Sequence, residues 1–494
     1  MIFEQFTQTA EQYRNELAIV EGDERITYGQ LLDRIASTRG WLRRTLNPEP
    51  GSVIAASLSN TRQFVAAFFA VSELGAVFTP CNPQWRAAEL RWLVRRLGIS
   101  GAIAEQQFRP AWDRLGDVVP PQAVLTAPIA ASAGEPAAAL RLRAGSADAP
   151  TLYLTTSGST GVPRLVPRSH RNLAAGAKNL ARSLGIGPGD CVLGAAPFYH
   201  SNGFHNCMLM PLLCGATVVL MPRFTPTACA ELLRHENVNL LIGSPAIYRF
   251  LAEGSAHLTL PSSMRCFSAG ARMPEALSKR WKDRFGIRVR QWYGMAEANT
   301  LSIDRAPDEQ ASGAGAYVGS PIEGVDVRVL DADGNALDPG AVGEIAVRSD
   351  AVMSGYYGEP ELNRRKFRGG FFRTGDSGYF DTAGKLYLTG RIGRVINIGG
   401  VKVDPVEVEQ AIEGLAGVSA CHVDAVTSES TSEVIRARVA VRSGMQLART
   451  EVIEQCRARL AEYKLPRIVE FVDSLPMTLA GKTPAAWTTD EPAR

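Results

Sequence analysis

The sequence predicts an α/β protein: a large N-terminal domain of layered sheets and helices that carries a β-rich subdomain, then a small α+β C-terminal domain. Three observations predict it. Between residues 52 and about 271, β-rich runs at 53–58, 152–154, 191–195, 216–221 and 240–243 alternate with helical patterns such as 62–74, the signature of a domain with much parallel sheet. From 315 to 381 the pattern becomes short strands such as 325–330 and 344–348, punctuated by turn signals at Asp333 with Gly334 and Pro339 with Gly340. Beyond Gly390 it turns compact, predicting a helix over 405–412, a strand over 435–441 and a helix over 451–463.

Length supports the division, because 494 residues exceed what one hydrophobic core usually sustains. The main boundary falls near 390–394, and the alanine-rich tract at 130–149 reads as a surface connection. With 45% hydrophobic and 21% charged residues the chain is composed like a globular protein. The net charge is only +3, with basic residues scattered rather than striped, so no nucleic-acid partner is expected.

The first residues carry Glu4 and Glu11 and lack a basic then apolar leader, which predicts a cytoplasmic protein. The most apolar stretch, 64–80, is broken by Ser72, Glu73 and Gly75; it predicts a core helix running into a strand, and no membrane span is expected. Eight widely spaced cysteines without a CxxC pair predict neither a disulfide framework nor a structural zinc site.

Chemistry is concentrated in a few segments. An apolar run at 152–154 feeds a loop of Thr155, Thr156, Ser157, Gly158, Ser159, Thr160 and Gly161, followed by Arg164. Backbone N–H groups and hydroxyls in such a loop can close around phosphate oxygens. It is not a Walker A loop, since no Gly-Lys-Ser/Thr follows; phosphate binding is its natural functional reading, and a flexible surface loop is the plainer alternative. Tyr293, Gly294, Met295, Ala296 and Glu297 follow a strand-like 289–292 and offer an aromatic face for a purine and a carboxylate for Mg²⁺. Asp376 follows a Thr-Gly turn and Arg391 lies one strand further on; together they could hold ribose hydroxyls, or simply form a surface ion pair. Lys482 stands on a tight loop near the C-terminus.

In this order, the loop Thr155 to Gly161, Phe198 to Gly203, Gly270, Tyr293 to Glu297, Thr374 to Asp376, Arg391, Gly399 with Gly400, and Lys482 resemble the adenylate-forming superfamily. Its members include acyl-CoA synthetases, peptide-synthetase adenylation domains and beetle luciferases, and the likeness runs nearly the whole chain. It implies an AMP-binding adenylation domain over 1–390 with its β-rich part at about 315–389, a hinge at 391–395 centred on Gly393, and a small mobile domain over 396–494. It implies an ATP- and Mg²⁺-dependent ligase that activates a carboxylic acid as acyl-AMP, releases pyrophosphate and forms a thioester with CoA. A stand-alone enzyme loading the phosphopantetheine of a carrier protein, and a silent acyl- or nucleotide-binding relative, are the alternatives.

Site roles follow from the same resemblance. Tyr293 with Gly270 and Ala271 would hold adenine, Asp376 and Arg391 ribose, residues 155–161 with Arg164 the phosphates, and Glu297 Mg²⁺. His200 would shape carboxylate access, Lys482 would stabilise the adenylation transition state, and Gly399 and Gly400 would flank the thiol channel. The acyl pocket would draw on Phe198, His200, Ser201, Phe204, Gly294, Met295 and Asn299. Ser201 and Asn202 stand where amino-acid-activating relatives place an Asp, so an aryl or medium-chain acid is expected rather than an amino acid. Three positions depart from the usual pattern: Arg164 replaces Lys, Ala296 replaces Thr, and Gly393 replaces Asp or Lys.

Overall fold

The computed structural model describes residues 1–127, 146–156, 163–254, 258–305, 316–392, 396–398, 401–403, 405–427, 433–460 and 462–475. Ser157, Gly158, Ser159, Thr160, Gly161, Gly393, Gly399, Gly400 and Lys482 lie outside these residues, as does most of the alanine-rich tract.

Helix Arg62–Glu73 shows how the layers are held. Every residue from Phe64 to Ser72 is buried, so the helix is apolar all round and must be covered on all sides. It then turns through Gly75 at φ +75° into strand Val77–Pro80, the helix-then-strand order that the 64–80 stretch predicts. That strand belongs to a sheet ordered Val124–Ala127, Ile99–Glu105, Val53–Ser57, Val77–Pro80, Pro150–Thr156 and Arg164–Ser169. All its pairings are parallel except the last, a hairpin whose connection contains the predicted phosphate loop.

A second sheet runs Ser320–Pro321, Asn299–Ile303, Val289–Met295, Arg265–Ser268, Leu240–Gly243, Cys191–Gly194, Thr217–Leu220, Leu17–Glu21 and Glu24–Thr27. The pairings from Val289–Met295 to Leu17–Glu21 are parallel, so strand C-termini gather on one edge, where open α/β sheets place their ligands. A common core joins the sheets, with Phe64 meeting Phe78, Phe198 and Phe204 edge-on at 5.4, 5.4 and 6.2 Å. Helix His170–Leu184 is fixed at its start by Ser169, whose hydroxyl accepts from the Asn172 amide, and stopped by Gly185 at φ +64°.

The β-rich part is an antiparallel sheet of Ala316–Tyr317, Leu386–Arg391, Phe371–Phe380, Gly343–Arg348 and Asp326–Leu330, with Phe367–Arg368 pairing alongside Phe371–Phe380. Residues beyond it build a core of their own from Val408, Ile412, Val423, Ala437, Val439 and Val452. There Val418–Thr427, Glu433–Val441 and Ile468–Val472 form one sheet, with helices Pro405–Glu413 and Arg449–Arg457. The helix expected over 451–463 ends early, at Arg457, because the chain turns to bring Leu460 and Leu465 to this small core. Among the described residues no helix is long and apolar enough to cross a membrane.

Candidate active site

Tyr293, Asp376 and Arg391 come together although they lie on two sheets. Asp376 and Arg391 face each other across antiparallel strands, and Arg391 Nε donates to Asp376 Oδ1 at 2.8 Å. The other carboxylate oxygen accepts from the Tyr293 hydroxyl at 2.6 Å. Asp376 is fixed from its own strand as well: its N–H donates to Thr374 Oγ1 at 3.0 Å, and that hydroxyl donates to the Ile345 carbonyl at 2.7 Å. Tyr293 and Asp376 are buried while the Arg391 side chain is half exposed, so the cluster opens toward solvent through its cation. Asp376 raises the pKa of Arg391, and burial together with Asp376 keeps the Tyr293 phenol protonated. The result is a rigid carboxylate with a guanidinium beside it, suited to bidentate hydrogen bonding of a diol.

A second cluster surrounds Glu297. Its Oε1 accepts from the Tyr356 hydroxyl at 2.8 Å, and its carbonyl accepts from the Met353 N–H at 2.8 Å. Arg168, almost wholly buried, donates to the carbonyls of Ala296 and Ala351 and so ties the Glu297 turn to the β-rich part. Burial pulls the Arg168 guanidinium down to about 10, opposed by the Glu297 charge. Arg164 begins the strand after the predicted phosphate loop and lies 5.6 Å from the centre of the Tyr356 ring, a cation–π contact that brings it to the Glu297 side. Thr156 pairs with Arg164 at the mouth of the hairpin.

The segment expected to meet the acyl group combines half-buried and wholly buried residues. His200 and Ser201 are half-buried, with the His200 ring 4.4 Å from that of Tyr199. Asn202–Leu209 forms a π-helix, a rare geometry that is frequent at functional sites. It passes so close to the preceding loop that a Cβ on Gly203 would lie 2.2 Å from the Pro197 carbonyl oxygen. Phe198 and Phe204, assigned to the pocket wall from sequence, are instead wholly buried in the aromatic core against Phe64 and back the site rather than line it.

Behind them sits a polar knot. Asn299 holds φ +64° and contacts His205 Nδ1 at 2.7 Å, His205 Nε2 lies 3.0 Å from the Leu173 carbonyl, and Asn206 donates to Asn202 at 2.9 Å. Burial pushes His205 down to about 3, so it is neutral at neutral pH. Gly294 is required here, because a Cβ would lie 2.4 Å from the Asn299 carbonyl oxygen. Gly270, at φ +86°, and Ala271 follow strand Arg265–Ser268; the next residue, Arg272, pairs with Glu413 of the small C-terminal unit at 2.5 Å.

Tyr356, Arg168 and His205 were not found by sequence reasoning. Their roles arise from partners far away in the chain, and no local motif marks them.

The fold and these clusters define an adenylate-forming architecture, and comparison with known proteins agrees. The profile of AMP-binding enzymes matches residues 6–357, and that of the AMP-binding enzyme C-terminal domain matches 407–482. The chain belongs to this family. A feruloyl-CoA synthase from an Amycolatopsis species is 32% identical over 485 residues, covering 94% of each chain. A sulfoacetate–CoA ligase from Cupriavidus necator is 32% identical over 469 residues, covering 92% of this chain and 91% of its own. The ATP-bound crystal structure of MatB from Rhodopseudomonas palustris, 26% identical, aligns with a TM-score of 0.89 over 99% of this chain and 98% of that one.

Proposed function

We propose that this chain is an AMP-forming acid–thiol ligase that activates a small carboxylic acid with ATP and passes the acyl group to CoA. The observation that carries the reading is the cluster of Tyr293, Asp376 and Arg391, which offers a fixed diol-binding carboxylate beside a buried aromatic ring. Asp376 and Arg391 hold the ribose, Tyr293 and the Gly270 to Ala271 segment hold the adenine, and residues 155–161 with Arg164 hold the phosphates. A carboxylate oxygen of the acid attacks the α-phosphorus and the bond to pyrophosphate breaks. A thiolate then attacks the acyl carbon, and AMP leaves with the electrons of the acyl–oxygen bond.

Glu297 suits Mg²⁺: it is a hard oxygen ligand with one oxygen held by Tyr356, and Mg²⁺ characteristically uses one or two carboxylates plus substrate phosphates. When bound, the ion would neutralise phosphate charge. Residues 1–390 form the adenylating domain with a β-rich part at about 315–389. Residues 391–395 are the hinge, with Gly393 as its pivot, and 396–494 form the mobile domain that brings Gly399 and Gly400 to the thiol. The eight unpaired cysteines support a cytoplasmic setting.

The acid is an aryl or medium-chain acid rather than an amino acid. Relatives of equal identity act on acids as different as ferulate and sulfoacetate, so the choice rests on this chain's own pocket residues. Ser201 and Asn202 offer no carboxylate, and an ammonium buried beside neutral His205 would be left without a counter-charge. Pyrophosphate release measured across matched aryl, fatty and amino acids should be fastest with one of the first two classes. Preferential turnover of a free amino acid would overturn this assignment, and no release with any acid despite ATP binding would favour a silent binding protein.

A further inference from the structure

Lys366 ends helix Pro360–Lys366, just before edge strand Phe367–Arg368, and no motif in the sequence singles it out. Its ammonium reaches back over the strand that carries Asp376. A Cβ built on Gly375 would lie 2.9 Å from Lys366 Nζ, and Gly375 also holds φ +82°, so this backbone is bare where the ammonium meets it. The charges that act on Lys366 are the carboxylates of Glu344, Asp376 and Glu297, opposed by Arg164. It therefore stands between the diol-binding cluster and the Glu297 cluster.

Those carboxylates already have partners. Glu344 accepts from Arg373 Nε at 2.6 Å and from the Gly375 N–H at 3.1 Å. Asp376 is shared by Tyr293 and Arg391, and Glu297 accepts from Tyr356. Lys366 itself, half-buried, forms no hydrogen bond or ion pair with the described residues. Burial lowers its pKa from the ordinary lysine value, which is the signature of an ammonium that has lost water without gaining a full counter-charge. An anion arriving between Asp376 and Glu297 would supply that charge. Between a ribose held by Asp376 and a polyphosphate anchored beside Glu297, the connecting group is the 5′-phosphate of the nucleotide.

We infer that Lys366 is a ligand of the nucleotide 5′-phosphate, contributed by the large domain; the inference rests on the assignment of ribose to Asp376 and Arg391. Because it is not carried by the C-terminal domain, Lys366 stays with the phosphate when that domain turns. It holds ATP before the first displacement and AMP after the second.

Equilibrium binding of adenosine, AMP and ATP to the full chain tests this. Lys366→Met should weaken AMP and ATP by about tenfold or more, as expected for loss of a charge-assisted contact, and leave adenosine unchanged. Lys366→Arg should recover most of the AMP affinity, and Lys366→Gln replaces the Met variant should that fail to fold. Unchanged AMP affinity without the charge, or an equal loss for adenosine, would overturn the inference. Failure of the unaltered chain to bind any of the three would instead sink the nucleotide-site reading on which it stands.

Discussion

Lys482→Ala is expected to slow acyl-adenylate formation by about 10²–10³, the scale seen when one preorganised electrostatic contact to a transition state is removed. As the carboxylate attacks, negative charge gathers on the oxygens around the α-phosphorus, and an ammonium held there stabilises that arrangement more than the ground state. ATP affinity should change much less, because Tyr293, Asp376 and Arg391 are untouched and hold one another in place. Given presynthesised acyl-adenylate, the variant should still transfer its acyl group to CoA, since the proposed rotation of the small domain would withdraw this lysine in the second orientation. The bridge from Arg272 to Glu413, with both side chains partly exposed, is a contact weak enough to break in such a turn. Purified protein and separate assays of the two steps decide the matter. Near-normal adenylation, or equal collapse of both steps in folded protein, would contradict this division of labour.

Asp376→Ala should be nearly as damaging, but to binding. One carboxylate organises the Tyr293 hydroxyl, the Arg391 guanidinium and, in this account, two ribose hydroxyls. Hydrogen bonds to a charged group are worth about 1.5–3 kcal/mol each, so affinity for AMP and ATP should fall by about 10²-fold or more. Adenosine should weaken in parallel, since it keeps the ribose, which separates this variant from those at Lys366. Removing the carboxylate also leaves the buried Tyr293 hydroxyl without its acceptor, at a cost of about 1–3 kcal/mol in stability. Asp376→Asn, which keeps an acceptor for Tyr293, should recover the thermal stability but not the nucleotide affinity. Calorimetric titration alongside thermal unfolding separates the two, and unchanged nucleotide affinity in Asp376→Ala would refute the ribose assignment.

The two residues of that pair were legible because the distance between them is local. Asp376 and Arg391 lie on strands joined by a short connection, so a sequence that shows two strands and a turn already sets them side by side. The arrival of Tyr293 from another sheet was not local and came only through the resemblance. The order of the strands was equally hidden, because parallel neighbours such as Leu17–Glu21 and Thr217–Leu220 are far apart in sequence and no nearby residue records their pairing. Tyr356 reaches Glu297 and Arg168 reaches Ala351 in the same long-range way.

Where the sequence misled, burial was the cause. Phe198 and Phe204 stand in a segment that the resemblance fills with site residues, but ring packing, of Phe198 against Phe64 and of Phe204 against Phe64 and Phe68, takes them into the core. The apolar pattern of Asn202–Leu209 suits an α-helix as well as the π-helix it forms; the crowding at Gly203 acts through contacts the pattern does not encode. The early end of the helix at Arg457 likewise follows from the demand of a small core for Leu460 and Leu465.

The central claim, activation of the acid through its own oxygen on the α-phosphorus, is tested most directly with a substrate carboxylate labelled in both oxygens with oxygen-18. After turnover with ATP and CoA, mass spectrometry should find one labelled oxygen in the phosphate of AMP and the other in the thioester carbonyl, with pyrophosphate unlabelled. Label in inorganic phosphate with ADP as the nucleotide product, or AMP that carries no label, would contradict the account.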